Sequence, residues 1–229
     1  MKNNTLLQIF RWLLILLIPL LLVIGSISIL TNDIFLSYEY AKTNFPADPF
    51  GFTPQERLSH ADDNLRFIRK GLPPAFLEQQ NHNGQPLYNP REISHMADVQ
   101  SVFQAAWKGG NILLVLILSL TAVITWRKEN RPFFFSVLQE AGIWSAGLIA
   151  GIALLAVVSW NTWFTTFHQL FFQPGTWTFD ATDTLIRLFP MPFWFDSALS
   201  VAYFTFGGGL ALAFLGGFFK KEVRMPIQI

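Results

Sequence analysis

The sequence predicts an all-α integral membrane protein with four transmembrane helices and two extracytoplasmic loops that carry short amphipathic or interfacial helices. Hydrophobic residues make up 52% of the 229 residues and charged residues only 14%, whereas a soluble domain carries about 25% charged residues. Several long stretches contain no charged residue, and each is long enough for the ~20 residues with which a helix crosses a bilayer. These observations exclude an ordinary soluble enzyme.

Four uncharged stretches define the predicted spans. Three of them, 12–32, 109–126 and 197–219, fit one span each, and the fourth, 141–179, has room for a span and an aromatic surface segment. The first stretch is too long for the ~7–15-residue core of a secretory signal and no small-residue cleavage site follows it, so we predict a retained span. The chain is therefore expected to be one membrane domain with span 1 (12–31), a long outer loop (32–108), span 2 (109–126), a cytoplasmic loop (127–140), span 3 (141–160), an aromatic outer loop (161–196), span 4 (197–219) and a cytoplasmic tail (220–229).

The basic residues of the short segments all fall on one predicted side of the membrane. They are Lys2 and Arg11 before span 1, Arg127, Lys128 and Arg131 after span 2, and Lys220, Lys221 and Arg224 after span 4. Because cytoplasmic segments carry the excess of Lys and Arg, we expect a multi-pass protein with both termini in the cytoplasm. All four histidines then lie in the two outer loops, so chemistry is expected at the extracytoplasmic face.

The outer loops contain signals for the start of a helix. Thr53-Pro54-Gln55-Glu56 has the form of a capping box with proline at the first helical position, and it predicts a helix near 54–70. Asn89-Pro90-Arg91-Glu92 has the same form and predicts a helix near 90–107 that can continue into span 2. In the aromatic outer loop, Asp180-Ala-Thr-Asp183 can cap a short helix that lies in the membrane surface.

Two histidines have the surroundings expected of a catalytic group. His95 precedes Asp98 by three residues on a predicted helix, which places both on one face. A carboxylate that accepts a hydrogen bond from an imidazole fixes its tautomer and raises its basicity. His168 lies among aromatic residues at the predicted membrane surface, where burial favours the neutral, basic imidazole. Spacing alone also allows a solvated His–Asp pair and an interfacial histidine that reaches water.

Other chemistries find little support in the sequence. His60 and His82 have simple surface interpretations, and no two histidines have the spacing of a helical zinc motif. The lack of cysteine excludes disulfides and thiolate metal sites, and a net charge of +1 gives no reason to expect nucleic-acid binding. No Gly-x-Ser-x-Gly turn is present. These patterns argue against a metal site and against a serine nucleophile.

Two histidine-centred motifs resemble those of the bacterial lipoprotein intramolecular transacylase (Lit) family. Glu92-Ile-Ser-His95-Met-Ala-Asp98-Val99, after Asn89-Pro90-Arg91, resembles the first signature. Phe167-His168-Gln-Leu-Phe-Phe172, with Trp177-x-Phe179 and Leu188-Phe-Pro190, resembles the second. The length, the four spans and the two outer loops are similar as well, whereas 43–86 matches no motif.

The resemblance implies a membrane acyltransferase of the bacterial plasma membrane. It would move the sn-2 acyl chain of a diacylglyceryl-cysteine lipoprotein to the lipoprotein's own N-terminal α-amine, leaving a lyso-form lipoprotein. Its partners would be diacylated lipoproteins and membrane lipid, and it would need no cofactor. His95 and His168 are then the catalytic candidates, and the order of their roles stays open. The supporting candidates are Asp98, Glu92 and Arg187, and Arg187 is expected to contact a lipid headgroup or the oxyanion or to anchor an interfacial helix. The candidates for binding lipid or substrate are Trp177, Phe171 and Phe172.

Two other functions are compatible with the residues. A non-catalytic membrane protein would use the outer loops to bind a lipid or protein partner. A metal-dependent membrane hydrolase would use the outer histidines as ligands. The paired histidine motifs favour the acyltransferase over both.

Overall fold

The computed structural model describes residues 5–223, so Lys2 and Arg224, which contribute to the predicted orientation, lie outside the described residues. Four helices, α1, α5, α6 and α9, are long and apolar enough to cross a membrane, which confirms the all-α fold class with four spanning helices. In chain order the elements are α1 (Thr5–Leu30), α2 (Asp33–Tyr40), α3 (Pro54–Lys70), α4 (Ala75–Glu78), β1 (Asn81–His82), β2 (Gln85–Pro86), α5 (Pro90–Trp126), a 3-10 helix (Lys128–Asn130), α6 (Arg131–Val158), α7 (Trp160–Phe171), α8 (Thr184–Leu188) and α9 (Met191–Glu222).

The described chain forms two compact units. We call residues 5–27, 108–154 and 200–223 the span unit, and residues 28–107 and 155–199 the loop unit. All four histidines belong to the loop unit.

The long helices extend beyond the predicted spans. The segment 127–140, predicted as a loop, contains the 3-10 helix and the first turns of α6, and α9 begins at Met191 rather than near residue 197. Helices α6 and α9 each have a proline at their second residue, where proline is compatible with the start of a helix. A charged residue limits how far a span extends into lipid, but it does not end a helix, so charge spacing underestimates helix length. In α5, we take 109–126 as the spanning segment because 90–108 carries four charged residues.

In the span unit, glycines bring the backbones of α6 and α9 into contact. A Cβ atom built on Gly142 would lie 2.4 Å from the backbone oxygen of Gly209 and from the backbone nitrogen of Ala213. One built on Gly216 would lie 2.4 Å from the backbone nitrogen of Gln139. Small residues of this kind let membrane helices pack closely where no hydrophobic effect drives their association.

We expect Gly142→Leu to lower the thermal stability of the detergent-solubilised protein, because no larger side chain fits between the two backbones. Overpacking of this kind costs about 2–3 kcal/mol. The matched control is Gly147→Leu on the same helix, since a Cβ at Gly147 has nothing within 4 Å. Equal melting temperatures for the two variants would contradict the close packing of α6 against α9.

Polar contacts join α1 to α6 and to α9. Arg11 Nε donates to Glu140 Oε2 over 2.8 Å, which connects the start of α1 to α6. The hydroxyl oxygens of Ser26 and Thr205 lie 3.0 Å apart in a buried contact between α1 and α9. In the apolar interior of a helix bundle, such a pair satisfies two polar groups at once.

The loop unit is organised around α3 and the first turns of α5. Helix α3 begins with a capping box, in which Thr53 Oγ1 accepts from the Glu56 amide over 3.2 Å and Glu56 Oε2 accepts from the Thr53 amide over 2.8 Å. Gly71 ends it in the left-handed conformation with φ of 63°. The main buried core of this unit consists of Phe52, Phe67, Leu77, Leu87, Tyr88, Met96, Leu185 and Leu188.

Two glutamines of α5 fix the end of α3. Gln100 Nε2 donates to the carbonyls of Phe67 and Leu72 over 2.8 and 2.9 Å. Gln104 Nε2 donates to the carbonyls of Ile68 and Arg69, in the last turn of α3, over 2.8 and 3.0 Å. Since the last carbonyls of a helix have no partner within it, these bonds both cap α3 and set its position on α5.

Candidate active site

His95 lies on α5 and is almost fully buried, with 8% of its surface exposed. Two aromatic rings enclose its imidazole: that of Phe172 at a centroid distance of 5.0 Å in an edge-on arrangement, and that of Phe179 at 5.4 Å. The Nδ1 atom is buried and has no hydrogen-bond partner among residues 5–223. A buried polar nitrogen without a partner is rare and calls for an explanation, such as a catalytic role.

His168 lies on α7 and is half-buried. Its Nδ1 atom is 2.8 Å from the carbonyl oxygen of Phe164, one turn earlier. Because a carbonyl only accepts, Nδ1 carries the proton, and in the neutral imidazole the lone pair is on Nε2. The rings of Phe164 and Trp177 flank the imidazole at 4.0 and 4.8 Å. His168 therefore has the tautomer of a general base.

The helical repeat of α7 gives His168 these neighbours. Trp160, Phe164 and His168 follow one another at intervals of four residues, and the ring centroids of Trp160 and Phe164 are 5.7 Å apart. Residues at this interval share one face of a helix. The sequence thus places an aromatic row directly beneath the imidazole.

The two histidines share one neighbour. The Phe172 ring lies 5.0 Å from His95 and 5.6 Å from His168, so the imidazoles are no farther apart than the sum of these distances. The segment from Phe172 to Phe179 supplies a ring to each, with Trp177 against His168 and Phe179 against His95. The two histidine motifs, which are far apart in the sequence, therefore meet around one aromatic segment.

Glu92 joins the elements that carry the two motifs. Its side chain is buried, with 1% exposure. Oε2 accepts from the backbone amide of Asn89 over 2.8 Å, and Oε1 accepts from the backbone amide of Leu185, the second residue of α8, over 2.7 Å. Burial raises the pKa of Glu92, and the hydrogen bonds from these amides oppose the increase. Glu92 is thus a positioning residue between α5 and α8.

The predicted pairing of Asp98 with His95 is not formed. Asp98 is exposed whereas His95 is buried, and no hydrogen bond or ion pair joins them within the part of the chain that the structure describes. Three residues along a helix correspond to a rotation of 300°. Asp98 thus lies about 60° short of a full turn from His95 around the axis of α5. That difference is enough to place Asp98 in solvent while His95 is buried.

Arg187 also differs from the prediction of a headgroup or oxyanion contact. Its Nε and Nη2 atoms donate to the two carboxylate oxygens of Asp48 over 3.1 and 2.9 Å. The guanidinium lies 3.6 Å from the centroid of the Phe52 ring. Burial would raise the pKa of Asp48, but the bonds from Arg187 and from the backbone amide of Phe52 lower it. Arg187 is therefore engaged in holding α8 to the segment before α3.

The remaining candidates divide into two groups. Phe172 and Trp177 contact histidine rings, whereas Phe171 is exposed and its ring contacts Phe167. Within residues 5–223, no group of three or more His, Cys, Asp or Glu side chains is arranged to hold a metal ion.

Comparisons with known proteins decide the family. The model of the family described as "Lipoprotein intramolecular transacylase Lit" matches residues 12–194. The chain belongs to the lipoprotein intramolecular transacylase family. An uncharacterized protein of Aquifex aeolicus (strain VF5) is 30% identical over 219 residues, which cover 95% of this chain and 97% of that protein. Membership of this family makes the protein an acyltransferase, which confirms the prediction from the two histidine motifs.

Solved structures of Lit from Bacillus cereus share the fold. One covers 98% of this chain and 100% of its own, with a TM-score of 0.80 at 16% identity. A variant of that protein in which one histidine is replaced by alanine gives a TM-score of 0.69 at 16% identity, covering 98% of each chain. At such identity the likeness supports the membrane-integral fold.

Sequence reasoning missed several contacts in the loop unit of this transacylase. Asp183 does not cap α8 with its side chain; it accepts from Asn89 Nδ2 over 3.0 Å and from Arg91 Nη2 over 3.3 Å. Asp48, the partner of Arg187, lies in the stretch that matches no motif. His60 and His82 are not simply solvated, because both rings contact Phe52, at 5.5 and 4.8 Å. Local sequence carries no signal for such long-range partners.

The stability of the transacylase should depend on pH through His95. Burial, and secondarily the neighbouring His168, lowers the pKa of His95 to about 4. In the unfolded chain the same histidine takes up a proton near pH 6.5. The neutral, buried His95 therefore contributes fully to the free energy of unfolding above that pH. This contribution is lost as the pH falls toward 4, by up to about 3 kcal/mol. Burial lowers the pKa of His168 as well, opposed by its bond to Phe164, so its contribution has the same sign.

Thermal unfolding in detergent between about pH 7.5 and 4.5 tests this expectation. The melting temperature of the wild type should fall more steeply with acidification than that of His95→Asn, which cannot take up the proton. Parallel curves for the two proteins would contradict the burial of a neutral His95.

Proposed function

We propose that the protein moves the sn-2 acyl chain of a diacylglyceryl-cysteine lipoprotein to the N-terminal α-amine of the same lipoprotein. The observation that carries this proposal is the meeting of His95 and His168 around Phe172. The reaction needs one group to take a proton from the amine and one to give a proton to the leaving oxygen. Two neutral imidazoles beside one aromatic wall supply both.

The chemical step is an intramolecular aminolysis of an ester. The neutral α-amino nitrogen forms a bond to the ester carbonyl carbon, and the bond from that carbon to the sn-2 glycerol oxygen breaks. The nitrogen loses one proton and the glycerol oxygen gains one, so the products are an amide and a free hydroxyl. Because the nucleophile and the ester belong to one molecule, orientation within the site supplies much of the rate.

We assign the role of base to His168, and its hydrogen bond supports this assignment. With Nδ1–H bound to the Phe164 carbonyl, the Nε2 lone pair is left to accept the amine proton. His168 then passes this proton to His95, and His95 gives it to the glycerol oxygen as the bond from that oxygen to the carbonyl carbon breaks. Burial lowers the pKa of His95 to about 4, so its imidazolium gives up a proton to a developing alkoxide more readily than an ordinary imidazolium does. Both imidazoles are neutral at the end of the cycle.

The exposed aromatic rings fit an acyl chain that arrives from the bilayer. Phe167 and Phe171 are exposed, and their ring centroids are 5.0 Å apart on one side of α7. Aromatic residues are enriched at the headgroup level of membranes. We place this surface against the outer leaflet, where a lipoprotein substrate and its acyl chains reach the histidines laterally.

Mass spectrometry of a co-expressed diacylated lipoprotein tests the reaction. With the protein present, the N-terminal cysteine should gain one acyl group and the glycerol should lose one, with no change in total mass. Fragmentation locates the chain, and labelling the sn-2 chain shows whether it is the one transferred. A lipoprotein that stays diacylated on glycerol, with the protein present in the membrane, would overturn the proposal.

The proposed site requires the loop unit to be extracytoplasmic and both termini to be cytoplasmic. Reporter fusions after Gly84 and after Thr178 should read as external, and a fusion after Asn130 as cytoplasmic. The expectation rests on the Lys and Arg residues that flank the spans. A cytoplasmic reading at Gly84 would reverse the orientation and remove the site from the leaflet that carries mature lipoproteins.

A further inference from the structure

The indole of Trp177 carries a buried hydrogen-bond donor that nothing in the described protein satisfies. The residue as a whole is half-buried, but Nε1 is fully buried and has no acceptor among residues 5–223. An indole N–H only donates, and burying a donor without a partner destabilises the folded protein. Such a group is retained where a partner arrives later, as in a binding or catalytic site.

The position of this donor is defined by the turn that leads back from α7. Gly175 adopts a φ of 85°, which a residue with a side chain rarely takes up, and the Thr176 amide donates to the Gln173 carbonyl over 3.2 Å. The turn folds Trp177 back onto the end of α7, where its ring lies 4.8 Å from that of His168. The donor therefore lies beside the histidine whose Nε2 we assign as the base.

Ester aminolysis creates a demand for a donor at this place. Attack on the carbonyl carbon moves negative charge onto the carbonyl oxygen, and an enzyme stabilises that charge with fixed donors in a site from which water is excluded. Both histidines are already assigned to proton transfer. Apart from them, the rings of residues 5–223 that contact His95 and His168 are those of phenylalanines and Trp177, and only Trp177 in this set carries an N–H.

We propose that the Trp177 indole N–H donates a hydrogen bond to the carbonyl oxygen of the sn-2 ester and strengthens it as the oxygen becomes an oxyanion. This assignment rests on the proposed function and makes Trp177 a catalytic residue, beyond a lining of the lipid-binding surface. Trp160 has a second unpartnered indole N–H. Its ring contacts Trp163, Phe164 and Phe195, and Trp160 precedes His168 by about two turns of α7.

An isosteric replacement separates the donor from the ring. Incorporating benzothienylalanine at position 177 replaces the indole N–H by sulfur and keeps the size and shape of the side chain. With a synthetic diacylglyceryl-cysteine peptide and the full-length protein in nanodiscs, we expect kcat to fall about 100- to 1,000-fold, the range seen for loss of one oxyanion donor. KM should change less than about threefold, because the bond is strongest in the transition state.

Trp194 provides the matched control. It belongs to the same unit and is exposed, and its ring contacts Phe189 and Phe193. Benzothienylalanine at position 194 should leave both kcat and KM unchanged. Trp177→Phe, which lacks the N–H and reduces the ring, should lose at least as much kcat as the isostere. Equal melting temperatures of the wild type and the isosteric variant show that folding is intact.

The outcomes separate this inference from the function on which it rests. If the wild type transfers the acyl chain and the isosteric variant at 177 retains full kcat, the oxyanion role is overturned and the proposed function stands. A loss confined to KM also overturns it and leaves Trp177 a binding residue. If the wild type transfers no acyl chain, both proposals fail together.

Discussion

Replacing either His95 or His168 by asparagine should nearly abolish acyl transfer, lowering the rate by about a hundredfold or more. Asparagine keeps a polar side chain of similar reach but cannot carry a proton between amine and ester. The two groups act on one proton path, so the double variant should be little slower than either single variant. Initial rates with a synthetic diacylglyceryl-cysteine peptide provide the measurement.

The other two histidines are the controls for this expectation. His60 and His82 contact Phe52 and each other, with a centroid distance of 6.0 Å between their rings, and neither contacts His95 or His168. Their asparagine variants should retain activity within a few-fold. Multiplicative losses in the double variant of His95 and His168 would show that the two histidines work on separate steps or separate sites.

Local signals in the sequence predicted what local physics determines. The capping box at Thr53 locates the start of α3, and the absence of charge locates four apolar helices. A cap depends on residues three apart, and a span depends on composition, so neither needs knowledge of the tertiary fold. The histidine motifs likewise marked the two residues that come together, because each motif is contiguous in the chain.

Pairing between distant segments could not be read in the same way. Arg187 and Asp48 form a bidentate ion pair across 139 positions, and an arginine beside aromatic residues in a membrane protein looks like a headgroup contact until its partner is known. Asp98 illustrates the opposite error. Its spacing from His95 is correct for a pair, but the packing of α5 against the rest of the loop unit buries His95 and leaves Asp98 in solvent.

Glu92 is the residue whose loss should lower the stability of the protein most. Its carboxylate is the acceptor for the backbone amides of Asn89 and Leu185. Glu92→Ala would leave both amides without this acceptor, and an unsatisfied buried donor costs about 1–3 kcal/mol. We expect a loss of about 3–4 kcal/mol in unfolding free energy, seen as a large drop in melting temperature. Acyl transfer should fall at least tenfold, because Phe179, against His95, lies shortly before α8 in the chain.

Glu92→Gln separates positioning from charge. A glutamine keeps one acceptor oxygen and turns an amide nitrogen toward the second backbone donor, so it should lose about half the stability that the alanine variant loses and retain part of the activity. Asp98→Asn, on an exposed position of the same helix, is the matched control. It should leave the melting temperature unchanged and alter the rate of acyl transfer by less than about twofold. If Glu92→Ala retained the wild-type melting temperature and lost only activity, Glu92 would be acting on the substrate rather than joining α5 to α8.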